Sequence, residues 1–122
     1  MENKNILIVE DDSSMRDLLE EAFIHARFNV YISKDGEDAI EKIARYIPDV
    51  VLLDIILPKK DGFEVLKQIR ENPSLKSIPV ILLTNLERSE DVERALSFGA
   101  TTYLVKSNYA LREIVEKVKT LV

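Results

Sequence analysis

The feature that most constrains the fold is a set of five short apolar runs separated by longer amphipathic stretches. Three of the runs contain only Val, Ile and Leu, which is typical of strands buried on both faces of a parallel sheet. The predicted strands are Ile6–Val9, Phe28–Ile32, Val50–Leu53, Val80–Leu83 and Thr102–Val105. Because a stretch of helical periodicity follows each run, the sequence predicts an alternating β-α protein.

The stretches between the runs carry apolar residues at the three- and four-residue spacing of amphipathic helices. The first stripe runs from Met15 to Ala26, and the last runs from Leu111 to Val122. Parallel strands joined by right-handed helical crossovers form a doubly wound α/β sandwich. We expect a five-stranded parallel sheet in the flavodoxin-like order 2-1-3-4-5, with five helices on its two faces. The sequence alone does not exclude the other doubly wound order.

Composition removes several classes of chemistry. The chain of 122 residues has 17 Lys and Arg against 22 Asp and Glu, and this net charge of −5 argues against sequence-independent binding to nucleic acid or anionic lipid. It has no Cys and a single histidine, His25, which leaves no thiolate and no cluster of nitrogen ligands for a transition metal. With no signal peptide and no apolar run of about 18 residues, we expect a cytoplasmic protein.

Side chains with carboxylate, hydroxyl or ammonium groups follow four of the five runs. They are Glu10 and Asp11 after the first run, Asp54 after the third, Thr84 after the fourth and Lys106 after the fifth. In a doubly wound sheet, ligands bind outside the carboxyl ends of the strands. Crowded carboxylates repel one another, and a hard cation such as Mg²⁺ relieves that repulsion. Since a carboxylate can attack phosphorus while a metal and a lysine neutralise phosphoryl charge, the cluster has the parts of a phosphoaspartate site.

Each of these residues alone has a plainer interpretation. One of Asp12, Ser13 and Ser14 is expected to cap the first helix. Asp54 and Thr84 are each compatible with a structural role at the end of a strand. It is the joint placement of the set at one edge of the sheet that favours a functional site.

Four motifs occur in order along essentially the whole chain: ILIVEDDSSMR, VVLLDIILPKKDG, PVILLTN and GATTYLVK. Together they resemble the receiver domain of two-component response regulators, in its single-domain, chemotaxis-type form. The resemblance implies a signalling switch rather than an enzyme. Because the last helix is expected to reach the final residue, we expect residues 1–122 to be one receiver domain with no output domain.

The resemblance also implies roles for individual residues around a metal. Asp54 matches the phosphoacceptor. Glu10 and Asp11 match the acidic pair that binds Mg²⁺ together with that aspartate, and Asp11 is the expected direct ligand of the two. Ile56 matches the position whose backbone carbonyl completes the metal site.

A second group of residues matches the switch of the family. Thr84 matches the hydroxyl that contacts the phosphoryl group, and Lys106 matches the lysine that pairs with it. Tyr103 matches the aromatic residue whose rotamer follows activation. The implied phosphodonor is a sensor histidine kinase or a phosphotransfer protein. The implied output is a protein partner, or a homodimer formed on phosphorylation, that uses the face of the fourth helix, fifth strand and fifth helix.

Two residues depart from the family pattern, and a third feature bears on the lifetime of the phosphoaspartate. Ser107 replaces the usual proline after the lysine, which predicts either a trans Lys106–Ser107 bond or backbone strain. Asn85 replaces a small residue, and its amide is compatible with either donating to a phosphoryl oxygen or narrowing access. Ile56 and Leu86 match the positions that flank the attacking water, and because both are apolar we expect slow hydrolysis of the phosphoaspartate.

Three other functions compete with the receiver assignment. A dehalogenase-like phosphatase carries Asp-x-Asp and a cap, whereas Ile56 stands two residues after Asp54 and the chain leaves no room for a cap. A receiver that no longer accepts phosphate would act as a constitutive binding module. A flavin site is disfavoured because the acidic EDDSS loop would repel a phosphate.

Overall fold

The computed structural model describes residues 3–55, 57, 59, 61–84, 89–106 and 109–122, with the backbone alone for residues 84, 89 and 91. These residues form five strands and five helices in strict alternation. The strands are β1 (Asn5–Val9), β2 (Asn29–Ser33), β3 (Val50–Leu53), β4 (Val80–Thr84) and β5 (Thr102–Val105). The helices are α1 (Ser13–His25), α2 (Gly36–Tyr46), α3 (Gly62–Glu71), α4 (Ser89–Ser97) and α5 (Leu111–Lys119).

The strands pair in parallel in the order β2-β1-β3-β4-β5. This confirms the predicted flavodoxin-like order and rules out the alternative that the sequence had left open. The strand boundaries differ little from those predicted. Phe28 is the exception of interest, because it precedes β2 and packs edge-on against Phe23 at a centroid distance of 5.2 Å.

The sheet separates two apolar cores. Along β1, Leu7 and Val9 pack with α2, α3 and α4, whereas Ile6 and Ile8 pack with α1 and α5. Successive strand side chains point to opposite faces, so a strand that is buried on both faces must be apolar at every position. The unbroken Val, Ile and Leu runs are therefore explained by the two cores.

Aspartate side chains cap the helices that begin near the carboxyl edge of the sheet. Asp12 accepts a hydrogen bond from the Ser14 N–H at 3.0 Å, which identifies it as the expected cap of α1. Asp35 and Asp61 cap α2 and α3 in the same way. Such a cap satisfies a backbone donor that the helix itself leaves unpaired. The side chain of Asp12 therefore forms the N-cap of α1.

The C-terminal helix is shorter than expected. We predicted a helix to Val122, but α5 ends at Lys119 with Thr120 as its C-cap. The Thr120 hydroxyl donates to the Lys117 carbonyl at 2.6 Å, and the Leu121 N–H donates to the Val118 carbonyl at 2.9 Å. These short-range bonds close the last turn, so the prediction of a helix to the end of the chain is wrong.

The apolar stripes also overstate burial at helix ends and edges. Ile47, which continues the apolar spacing of α2, is 55% exposed and is the C-cap of that helix in the left-handed conformation, with φ 45°. Leu18 of α1 is half-exposed.

Among the described residues, no helix combines the length and apolar character needed to cross a membrane.

Candidate functional site

The sheet brings Glu10 and Asp54 together through strand register. Val9, the last residue of β1, is paired with Leu53, the last residue of β3. The pairing continues one step further, because the Asp54 N–H donates to the Val9 carbonyl at 3.0 Å. The residues that follow the two strands therefore stand side by side at the carboxyl edge, as the sequence predicts.

Lys106, the residue that follows β5, bridges these two carboxylates. Its Nζ atom lies 3.0 Å from Asp54 Oδ2 and 2.5 Å from Glu10 Oε1. The three side chains are largely shielded from solvent, with exposed fractions of 15% for Lys106, 8% for Asp54 and 2% for Glu10. A buried charge is costly unless it is paired, so each of these groups depends on the others.

The electrostatics of the site are set by this burial. The pKa of Glu10 is raised from 4.5 to about 7, mainly by burial, while the Lys106 hydrogen bond lowers it and the nearby Asp54 adds to the increase. Burial alone would lower the pKa of Lys106, but the hydrogen bonds to Glu10 and Asp54 outweigh it and leave that pKa above its usual value. The lysine therefore stays charged, while Glu10 changes charge near neutral pH.

Three carboxylates form a cluster that fits a hard divalent cation. One oxygen atom from each of Glu10, Asp11 and Asp54 lies within 4.8 Å of the others. Asp11 is exposed, whereas the other two are buried, so the cluster is open to water on one side. Mg²⁺ prefers a few carboxylates together with several waters, and this set of ligands matches that preference.

The loop between β1 and α1 is held by several hydrogen bonds. The Glu10 N–H donates to the Ser33 carbonyl at 3.0 Å, and the Asp12 N–H donates to Glu10 Oε2 at 3.3 Å. Arg16 NH1 donates to the backbone carbonyls of Glu10 at 3.1 Å and Asp11 at 3.3 Å. The arginine contacts were not predicted from the sequence. The sequence feature that indicates these contacts is the position of Arg16, whose cationic side chain follows Asp12 by one helical turn.

A glycine joins the Asp54 segment to α3. The Gly62 N–H donates to the Ile55 carbonyl at 2.6 Å. The next residue, Phe63, packs edge-on against Phe98 at 5.9 Å, and the Arg94 guanidinium lies 4.1 Å above the Phe63 ring. The start of α3 thus contacts both the backbone of Ile55, the residue after Asp54, and the segment of α4 and its C-terminal end that carries Arg94 and Phe98.

The remaining predicted site residues are placed only in part. Thr84 ends β4 opposite Val105, which puts its backbone at the same edge. Tyr103 lies in β5, half-buried against the core on the α2, α3 and α4 side. The predicted roles of Ile56, Asn85, Leu86 and Ser107, and the geometry of the Lys106–Ser107 bond, fall outside the described residues.

The comparison with known families agrees with this arrangement. The profile of the response regulator receiver domain matches residues 6–119. This chain belongs to the response regulator receiver family. Receivers are signalling switches of two-component systems that operate through a phosphoaspartate, and this membership argues against the phosphatase and flavin alternatives.

Individual relatives support the same assignment. This chain is 35% identical over 119 residues to the alkaline phosphatase synthesis transcriptional regulatory protein PhoP of Bacillus subtilis. The aligned region covers 98% of this chain and 48% of PhoP. The chain thus spans about half the length of that curated relative.

Solved structures are similar over nearly their full length. The chemotaxis response regulator CheY4 of Vibrio cholerae gives a TM-score of 0.91 at 26% identity, with 98% of this chain and 99% of CheY4 covered. The Mn²⁺-bound form of the response regulator Rcp1 gives a TM-score of 0.84 at 34% identity, with 96% and 92% covered.

Proposed function

We propose that this receiver accepts a phosphoryl group on Asp54, in a Mg²⁺-dependent transfer from the phosphohistidine of a sensor histidine kinase or phosphotransfer protein. The observation that carries the proposal is the position of Asp54, which meets the acidic cluster on one side and Lys106 Nζ on the other. A carboxylate in such surroundings is largely buried and lies close to one of the cationic groups that phosphoryl transfer requires.

The proposed metal ligands are Glu10, Asp11 and Asp54, with the backbone carbonyl of Ile56 as the ligand implied by family resemblance. When bound, Mg²⁺ supplies positive charge that neutralises the phosphoryl oxygens during transfer. The chain's part is to hold two buried carboxylates and one exposed carboxylate close enough to share a cation. The Rcp1 relative was solved with a divalent cation, which supports the same use of the site here.

The chemical step assigned to Asp54 is nucleophilic attack on phosphorus by a carboxylate oxygen. A new P–O bond forms, and the P–N bond to the donor histidine breaks with its electron pair on the ring nitrogen. Lys106, 3.0 Å from Asp54 Oδ2, is placed to pair with the transferred phosphoryl group. The Thr84 hydroxyl is the proposed second contact, since its backbone ends β4 at the same edge.

The proposed output is a change of protein contact. Phosphoryl charge draws Thr84 toward the site, and Tyr103 turns into the space that Thr84 leaves. This biases a two-state element and reshapes the face formed by α4, β5 and α5. Tyr103 is half-buried in β5 and packs against the core on the α2, α3 and α4 side, which supports the role. We propose that the switched face binds a downstream protein or a second copy of the chain, in the cytoplasm and without direct contact to nucleic acid or membrane.

The test is the intact mass of the protein after incubation with acetyl phosphate, with and without Mg²⁺. Wild type should gain one phosphoryl group that requires Mg²⁺, and Asp54→Asn should gain none. Asp17→Asn, which removes an exposed carboxylate of α1, is the matched control and should behave as wild type. A folded wild type with no adduct would overturn the proposal and favour a constitutive binding module.

A further inference from the structure

We infer that Arg16 is a positioning residue, which holds the loop after β1 in the geometry that binds the divalent cation. One guanidinium nitrogen, NH1, donates to the carbonyls of both Glu10 and Asp11, at 3.1 Å and 3.3 Å. These are two of the three residues whose carboxylates form the cluster. The inference rests on the proposed function, because it concerns the same cation site.

The contact fixes the loop from the helix side. Arg16 belongs to the first turns of α1, and its own N–H donates to the Asp12 carbonyl at 2.9 Å. The same residue is thus bonded to the carbonyls of Glu10, Asp11 and Asp12 in succession. Since carbonyl direction and side-chain direction are linked through the backbone dihedrals, holding these carbonyls also limits where the carboxylates of Glu10 and Asp11 point.

The charge of Arg16 and its geometry have opposite effects on cation binding. A guanidinium is always protonated, and a positive charge beside a cation site weakens binding. Removing the charge alone would therefore strengthen Mg²⁺ binding, whereas loosening the two carboxylates would weaken it. The sign of the change in affinity thus separates a positioning residue from a simple neighbouring charge.

Two substitutions distinguish these roles. Arg16→Met keeps an unbranched stem but removes charge and donors. Arg16→Lys keeps the charge but loses the planar fork of donors that spans the loop. Removing a group that orients metal ligands typically weakens metal binding by about tenfold or more. We expect the Kd for Mg²⁺ to rise about tenfold in Arg16→Met and by a smaller factor in Arg16→Lys.

The experiment has two parts. Calorimetry measures the Kd as Mg²⁺ is titrated into the full chain, and hydrogen exchange of the amides of residues 10–12 is measured in the metal-free protein. Arg112→Met, which changes an exposed arginine of α5, is the matched control. In Arg16→Met we expect a higher Kd, faster exchange in the loop, and a phosphorylation rate from acetyl phosphate that returns close to wild type at saturating Mg²⁺. A general loss of stability would not produce this separation between affinity and maximal rate.

The outcomes separate this inference from the proposed function. If wild type binds Mg²⁺ and both Arg16 variants bind it equally well or more tightly, the positioning role is wrong and the metal site stands. If wild type binds no Mg²⁺, the proposed metal site is wrong and the inference falls with it. If exchange in the loop is unchanged while the Kd rises, the arginine does not act by holding the backbone.

Discussion

Gly62 contacts the backbone of Asp54 so closely that no side chain fits between them. A Cβ atom at position 62 would lie 2.5 Å from the Asp54 carbonyl oxygen and 2.5 Å from the Ile55 Cα atom. Both atoms belong to the backbone, which cannot move aside as a flexible side chain can. The start of α3 is therefore fixed against the residue that we propose as phosphoacceptor.

Gly62→Ala should destabilise the protein by about 2–3 kcal/mol, because overpacking against a rigid backbone forces a local shift. Urea unfolding measures the loss. Ser13→Ala is the matched control, since Ser13 holds the same first position in α1 but is exposed. It should change the free energy of unfolding by less than about 0.5 kcal/mol. If Gly62→Ala were as stable as wild type, the close approach of position 62 to the backbone of Asp54 and Ile55 would be contradicted.

Gly99 and Arg70 form a second close contact, at the turn after α4. Gly99 has φ 95°, and a Cβ atom there would lie 2.9 Å from Arg70 Cγ. Arg70 donates to the carbonyls of Gly99 at 2.8 Å and Ile78 at 2.7 Å. Gly99→Ala should cost about 2 kcal/mol, from left-handed backbone strain together with the clash.

A double-mutant cycle with Arg70→Ala separates these two causes. The clash disappears in the Arg70→Ala background, whereas the backbone strain remains. The double variant should therefore lose about 1 kcal/mol less than the sum of the single losses. Strict additivity in urea unfolding would show that the arginine is not in contact with position 99.

The raised pKa of Glu10 predicts how stability depends on pH without Mg²⁺. Between 4.5 and about 7 the folded protein holds the Glu10 proton more tightly than the unfolded chain does. Stability therefore falls as pH rises through this window, and the contribution of Glu10 is flat above it. The shift corresponds to as much as about 3 kcal/mol.

Urea unfolding from pH 5 to pH 8.5 tests this prediction by comparing variants with wild type. Glu10→Gln should remove most of the fall, since a neutral side chain has no proton to lose. Glu21→Gln changes an exposed residue of α1 and should retain the wild-type profile. Equal pH profiles for wild type and Glu10→Gln would show that the carboxyl group titrates normally.

Strand register explains why so much of the site followed from the sequence. The apolar runs fix the strands, and the order of the strands places the residues after β1, β3 and β5 at one edge. Glu10, Asp54 and Lys106 were therefore expected together, and the structure places them in contact. This part of the geometry depends on backbone topology, which an apolar pattern determines well.

Contacts that depend on side-chain direction or on local backbone angles did not follow from the sequence. The two bonds from Arg16 require the orientation of α1 relative to the loop, and no spacing rule supplies it. The close approach of Gly62 depends on the path of the preceding loop. Hydrophobic periodicity also continued past the true end of α5, because Val122 fits the stripe although the backbone has already turned.

Ile47 offers a stabilising substitution. It is 55% exposed, and as a β-branched residue at φ 45° it occupies a conformation that Gly and Asn adopt more easily. Ile47→Asn should raise the free energy of unfolding by about 1 kcal/mol. Ile24→Asn is the control, because Ile24 is 57% exposed within α1, and it should be neutral or slightly destabilising. Thermal or urea unfolding that shows no gain for Ile47→Asn would contradict the assigned backbone strain.

Slow loss of the phosphoryl group remains a prediction from residue type, since Ile56 and Leu86 lie outside the described residues. Neither apolar side chain can orient a water molecule for attack on phosphorus. Ile56→Asn combined with Leu86→Glu should therefore speed hydrolysis by about tenfold or more, measured as the decay of the phosphorylated mass. The exposed pair Leu18→Glu with Ile24→Asn is the control. An unchanged decay rate would show that other groups limit the reaction.

The ion pair between Glu10 and Lys106 joins residues that are 96 positions apart. Closing a loop of that length costs conformational entropy, which the pairing of the intervening strands offsets. A nascent chain that has not yet added β5 carries Glu10 and Asp54 but not the lysine that pairs with them. A chain that has been synthesised only as far as β4 therefore lacks the lysine of the phosphoacceptor site that we propose.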